Sequence, residues 1–180
     1  MLASNAYGAE MKKAVIVING AGGVGKDTLC DAAQTRYKTR NISTITPIKE
    51  IAALCGWNGT KDNKSRKFLS DMKRLCADYN DFPTNWAKAQ FEDFLHTDEQ
   101  ILFVHIREAE EIAKFVASTG GVAKTLLIRG GERFKQRFGG YGNISDDGVE
   151  NYHYDYYFDN DTSLEDAKNR FLSFLGTILN

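Results

Sequence analysis

Residues Ala14–Thr28 read AVIVINGAGGVGKDT. Ala14 to Asn19 is a short apolar, β-branched run of the kind a strand buried on both faces requires. A glycine-rich turn follows at once. Thr28 to Tyr37 then reads as a helix, with Leu29, Ala32, Ala33 and Tyr37 recurring at helical spacing. A strand, a run of glycines and a lysine at a helix start is the arrangement of a phosphate-binding loop. Glycines let backbone N–H groups turn inward and approach phosphate oxygens closely. The helix N-terminus adds a partial positive charge, and Lys26 can reach the terminal phosphates of ATP. Gly20, Ala21, Gly22, Gly23, Val24, Gly25, Lys26, Asp27 and Thr28 are therefore the candidate ATP-binding residues.

The fingerprint G-x-x-x-x-G-K-[ST] places Ser or Thr directly after the lysine. Here Asp27 takes that place and Thr28 comes one residue late, about 100° around the helix. Two roles are open to Asp27: a first-turn carboxylate favoured by the helix dipole, or an oxygen ligand for the Mg2+ that accompanies ATP. Thr28 offers its hydroxyl for the same ion. Asp27 and Thr28 are the candidate metal ligands.

The remaining chain is consistent with one soluble domain. Its 180 residues are 42% hydrophobic and 26% charged, with a net charge of -1. That balance gives no general reason to expect a nucleic-acid polymer as partner. No apolar run reaches membrane-spanning length, and the start MLASNAYGAE lacks a secretory pattern. Three cysteines without paired spacing read as thiols of a reducing compartment, hence a cytoplasmic protein. Residues 1–12 read as a disordered extension or tag remnant, and 13–180 as a single domain.

Beyond the loop, strands and helices alternate. Asn41–Thr46 is a second strand candidate, stopped by Pro47, with a short helix at Ile48–Leu54. Lys64–Tyr79 carries an apolar helical stripe of Phe68, Leu69, Met72, Leu75, Cys76 and Tyr79. Arg66, Ser70 and Lys73 project together on another face. Thr84–Leu95 reads as helix, Ile101–Ile106 as strand, Glu108–Ser118 as helix, Lys124–Arg129 and Asp155–Asn160 as strands. Thr162 with Glu165 matches a capping box opening the last helix. The alternation predicts a three-layer α/β sandwich with a five-stranded parallel sheet. The glycine-rich stretch from Gly130 to Tyr152 reads as an excursion between the last two strands. The tyrosines at 152, 154, 156 and 157 read as strand and core packing.

GKDT after a glycine-rich loop resembles the phosphate loop of bacteriophage-type deoxynucleoside monophosphate kinases, and a Gly-Lys-Asp loop also occurs in animal phosphomevalonate kinases. HIREAEEIAKF is similar to the strand-end Arg segment of such kinases, and VENYHYDYYFDNDTSLEDAK to their last strand and helix. The resemblance spans Lys13 to about Leu175. It implies a P-loop nucleoside monophosphate kinase fold, an acceptor-binding helical region at about 56–97 and a lid at about 130–152. The chain departs from it at His105, where many relatives carry Asp, and in the acceptor-binding helices.

Phosphoryl transfer needs two phosphorylated molecules held in line and positive charge where negative charge accumulates. Arg107, just past the strand ILFVHI, stands at the sheet edge where ligands bind in open α/β folds. It is a candidate grip on an acceptor phosphate, or a structural partner of Glu108 or Glu111. Arg66 and Lys73 either complete that clamp or form a solvated basic face. His105 reads as a packed strand histidine more readily than as a base. Arg129, Arg133 and Arg137 are candidate lid residues closing over ATP, with Arg129 alternatively flat on the adenine; Arg133 and Arg137 otherwise make a basic surface patch. Lys26, Arg107, Arg133 and Arg137 are the candidate catalytic cations. The function this predicts is ATP- and Mg2+-dependent phosphate transfer to a nucleoside or deoxynucleoside monophosphate. A kinase of a non-nucleotide phosphorylated metabolite and a nucleotide-binding regulator without turnover are the alternatives.

Overall fold

The computed structural model describes residues 2–4, 10–131 and 149–179. In the N-terminal extension, expected to be disordered, β1 (Leu2–Ser4) pairs antiparallel with β2 (Glu10–Lys12). The main sheet begins at β3 (Ala14–Asn19), buried at all six positions. It continues through α1 (Lys26–Ala33), β4 (Thr39–Ser43), α2 (Thr46–Leu54), α3 (Asn63–Asn80) and α4 (Phe82–Leu95). The second half runs β5 (Ile101–His105), α5 (Ala109–Ser118), β6 (Lys124–Gly130), β7 (Tyr156–Asn160) and α6 (Leu164–Leu179).

The five strands order as β4-β5-β3-β6-β7, all parallel. Parallel pairing needs crossovers, and helices supply them on both faces, which is why β3 is apolar on both sides. Ile16 and Ile18 pack with Leu29, Cys30 and Ala33 of α1 and with Phe171 and Leu175 of α6. Val15 and Val17 pack on the other face with Ala87, Phe91 and Phe94 of α4 and Ile112 and Phe115 of α5. Full burial of such side chains contributes about 1.5–3 kcal/mol each. This is the three-layer α/β sandwich that the alternation predicts.

Three local expectations change. The second strand lies two residues earlier than expected, at Thr39–Ser43, because Thr39 to Ser43 pair residue by residue with Ile101 to His105. Pro47 does not stop that strand. It sits in the first turn of α2, where its missing N–H has no bond to lose. The capping hydroxyl of α6 is Ser163, which accepts from the Asp166 backbone N–H at 3.2 Å and donates to Asp166 Oδ2 at 2.6 Å. Thr162 and Glu165 fit the same spacing rule one residue out of register.

The stripe on α3 is the larger correction. Among its 18 residues only Ser65 is buried; Phe68, Leu75 and Tyr79 are 37%, 60% and 86% exposed. The helix contacts α2 and α4 but does not form the sheet-covering layer; α4 and α5 do that. Its Asp62 cap accepts from Ser65 N–H at 2.7 Å and fixes the N-terminus at the residue expected within one position.

Candidate active site

The loop after β3 turns at glycines with no allowed substitute. Gly20 has φ 144°, and a Cβ there would lie 2.4 Å from the Ile128 carbonyl oxygen of β6. Gly25, the N-cap of α1 at φ 93°, faces the Asn160 side chain, whose Nδ2 would sit 2.6 Å from an added Cβ. Asn160 Nδ2 donates to the Val24 carbonyl at 2.8 Å and braces the loop from the end of β7. Ala21 and Val24 are buried in the core cluster, anchoring the turn, while Gly22 and Gly23 stay exposed. The N–H groups of Gly23 and Gly25 have no hydrogen-bond acceptor among the described residues.

Lys26 opens α1 and its Nζ folds back on the loop, donating to the Gly20 carbonyl and, at 2.8 Å, to the Ala21 carbonyl. Asp27 and Thr28 are exposed in the first turn of α1. A hard carboxylate and a hydroxyl beside a glycine cradle suit Mg2+, an ion that keeps several waters and takes one or two protein oxygens. Among the described residues no cluster of three or more His, Cys, Asp or Glu side chains could hold a metal unaided.

The neighbouring strand end supplies the second half. His105 is paired with Ile18 in the β3–β5 register, so Arg107 leaves the sheet beside the loop. His105 Nε2 bonds Asn41 Oδ1 at 2.7 Å; the amide oxygen accepts, so Nε2 carries the proton. Burial pushes the imidazole pKa down to about 4, with Asp27 opposing and Lys26 and Arg107 reinforcing that shift. His105 is neutral at pH 7 and a poor base.

Asn19, which sequence patterns passed over, and Tyr154, read only as packing, tie the site together. Asn19, 1% exposed, accepts the Gly20 N–H on Oδ1 at 2.8 Å. Its Nδ2 donates to the Arg107 carbonyl at 3.0 Å and the Tyr154 hydroxyl at 2.8 Å. Tyr154, 2% exposed, donates onward to the Val149 carbonyl at 2.7 Å. The polar residue ending an apolar strand was the available signal for Asn19, as it was for Asn160.

The acceptor side is more altered. Lys73 donates at 2.6 Å to both Glu108 and Glu111, and Glu111 also accepts from Thr44 Oγ1 at 3.2 Å. Lys73 is thus a cation that these two glutamates hold. Burial pushes the Glu111 carboxyl up to about 7, while Lys73 beside Glu108 holds that one low; the two titrate as a pair. Arg66 is exposed, with no ion-pair partner among the described residues. Arg129 makes a bidentate pair with Asp159 at 2.7 and 2.9 Å and stacks 5.1 Å from the Tyr157 ring centroid. Arg133 and Arg137, with most of the 130–152 segment, lie outside the described residues.

No protein-family model matches the sequence, and no curated protein matches it. Solved structures do. The tunicamycin resistance protein of Deinococcus radiodurans is similar at TM-score 0.53 and 12% identity, over 92% of this chain and 96% of that one. A candidate kinase from Chloroflexus aurantiacus is similar at TM-score 0.51 and 14% identity, over 93% and 98%. These two likenesses show a shared fold. A gluconokinase from Sinorhizobium meliloti matches at TM-score 0.49 and 15% identity, over 94% and 95%, too loosely to argue from.

Proposed function

We propose that the protein transfers the terminal phosphate of ATP to a nucleoside or deoxynucleoside monophosphate, with Mg2+. The observation carrying this reading is the Asn19 side chain, which fastens the first amide of the glycine loop to the backbone of Arg107. A donor-phosphate cradle and a guanidinium are thereby held at adjacent strand ends, the spacing an in-line transfer between two phosphates requires.

The loop amides and Lys26 bind the donor phosphates, with Lys26 Nζ leaving the Gly20 and Ala21 carbonyls for a phosphate oxygen. Asp27 and Thr28 hold the Mg2+, which neutralises phosphate charge when bound. Arg107 grips the acceptor phosphate, and Arg66 extends the clamp from α3. Lys73 keeps α3 against α5, and Arg129, paired with Asp159, borders the nucleotide end of the site. Arg133 and Arg137 bridge the two phosphates from the lid.

The neutral His105 and the neighbouring Arg107 at the strand ends support a phosphate-bearing acceptor. A hydroxyl acceptor requires a base, whereas a phosphate monoester oxygen is already ionised. Among the described residues, β4 and β5 end in Ser43, His105 and then Thr44 and Arg107, and His105 has a pKa of about 4. Glu108 and Glu111, which follow, are ion-paired to Lys73, and Glu111, pushed up to about 7, is the group there that a hydroxyl acceptor would have to use as base. The chain's likeness to a candidate kinase supports the same class of reaction.

Calorimetric titration checks the assignment. Nucleoside monophosphates bind the native protein, and Arg107→Ala weakens that binding by roughly tenfold or more while ATP affinity stays within about threefold. Equal monophosphate affinity in the variant contradicts it.

A further inference from the structure

Asn19 has a fixed orientation. Gly20 N–H can only donate and the Arg107 carbonyl can only accept, so Oδ1 must face the loop and Nδ2 must face β5. The second Nδ2 hydrogen goes to Tyr154, whose own proton goes to the Val149 carbonyl. The chain of bonds is buried, directional and mutually polarising. It extends the β3–β5 ladder, which ends at Ile18 and His105, to Arg107, and joins both to segment 149–154, which precedes β7 at Tyr156.

We propose that Asn19 is a positioning residue: it sets the distance between the donor loop and Arg107, and through Tyr154 it couples the loop to Val149. The inference rests on the reading of Lys26 and the glycine loop as the ATP site. Phosphate contact at the loop amides pulls on Gly20; Asn19 transmits that to Arg107 directly and to Val149 by way of the tyrosine hydroxyl. One carboxamide makes the acceptor grip and the far segment sense an occupied donor site.

Two substitutions separate the branches. Asn19→Asp keeps an oxygen for the Gly20 N–H but removes the donor to the Arg107 carbonyl, and its carboxylate draws the Tyr154 hydroxyl proton away from the Val149 carbonyl, so both branches break. Tyr154→Phe keeps the ring and the Asn19–Arg107 bond and removes both bonds of the hydroxyl, the one from Asn19 Nδ2 and the one to the Val149 carbonyl.

Amide hydrogen exchange with and without a non-hydrolysable ATP analogue reads the result in the full chain, with no need for turnover. In the native protein the analogue slows exchange by about tenfold in residues 20–28, at 107–109 and at 149–154. Asn19→Asp retains the slowing at 20–28 and loses it at both remote segments. Tyr154→Phe loses it at 149–154 alone. A purely structural role lowers melting temperature and leaves the ligand-dependent difference unchanged. Remote segments that respond to the analogue equally in all three proteins, or in none, overturn the proposal. If Asn19→Asp does not fold, the Tyr154→Phe pattern alone decides: retained slowing at 149–154 rejects the coupling. Failure to phosphorylate any nucleoside monophosphate is read separately, by product analysis, and bears on the proposed function instead.

Discussion

His105 ends β5 with its Nε2–H on Asn41 Oδ1, and burial draws its pKa from 6.5 down to about 4. Above pH 6.5 the imidazole is neutral whether the chain is folded or not. As pH falls through that window the unfolded chain takes up the proton first, so stability from the neutral ring is present above pH 6.5 and lost towards pH 4. His105→Gln removes this contribution. Its urea midpoint is predicted to fall less than the native one between those limits; parallel pH curves would show that the ring is not held neutral. The same residue illustrates what one sequence position conveys. A histidine at a strand end does not announce its tautomer, which depends on Asn41, 64 residues away.

Helix α3 separates the two basic residues first grouped on one face. Lys73 lies in an ion triad whose side chains are 15% exposed at Lys73 and 11% at Glu111, whereas Arg66 stands in solvent. Removing the lysine leaves Glu108 without its cation and drives the buried Glu111 carboxyl further up. Lys73→Met is predicted to cost about 3 kcal/mol of stability in a denaturant titration. Arg66→Ala is predicted to change stability by less than about 0.5 kcal/mol while raising the acceptor KM several-fold. The reverse pattern would exchange their roles. Elements of this kind were legible in kind more than in use. Periodicity located α3 to within one residue at each end, because the apolar spacing is a local signal. It could not tell that α4 would cover the sheet and leave Leu75 and Tyr79 exposed, since that depends on the order in which helices stack. The register of β4 and the choice between Thr162 and Ser163 as cap were ambiguous for a related reason. Each pattern fits two adjacent frames, and pairing with β5 or the Asp166 side chain selects one.

For the whole molecule, the five-stranded parallel sheet was legible because both-face burial leaves uninterrupted apolar runs such as AVIVIN and ILFVHI, whereas the order β4-β5-β3-β6-β7 was not, because it is set by pairing between distant strands. The glycine loop was legible because strand, turn and helix are contiguous. The link from Asn19 to Arg107 was not, because it joins residues 88 apart. In the proposed account that link holds the donor loop and Arg107 at neighbouring strand ends, and no helix among the described residues is long and apolar enough to cross a membrane. The most direct test supplies ATP labelled in its terminal phosphate, with Mg2+ and a panel of nucleoside and deoxynucleoside monophosphates, and identifies the labelled product. The account predicts a labelled nucleoside diphosphate from at least one acceptor, formed at least roughly a hundredfold more slowly by Lys26→Ala. Label appearing only as inorganic phosphate, or equal rates in the native protein and Lys26→Ala, would contradict it.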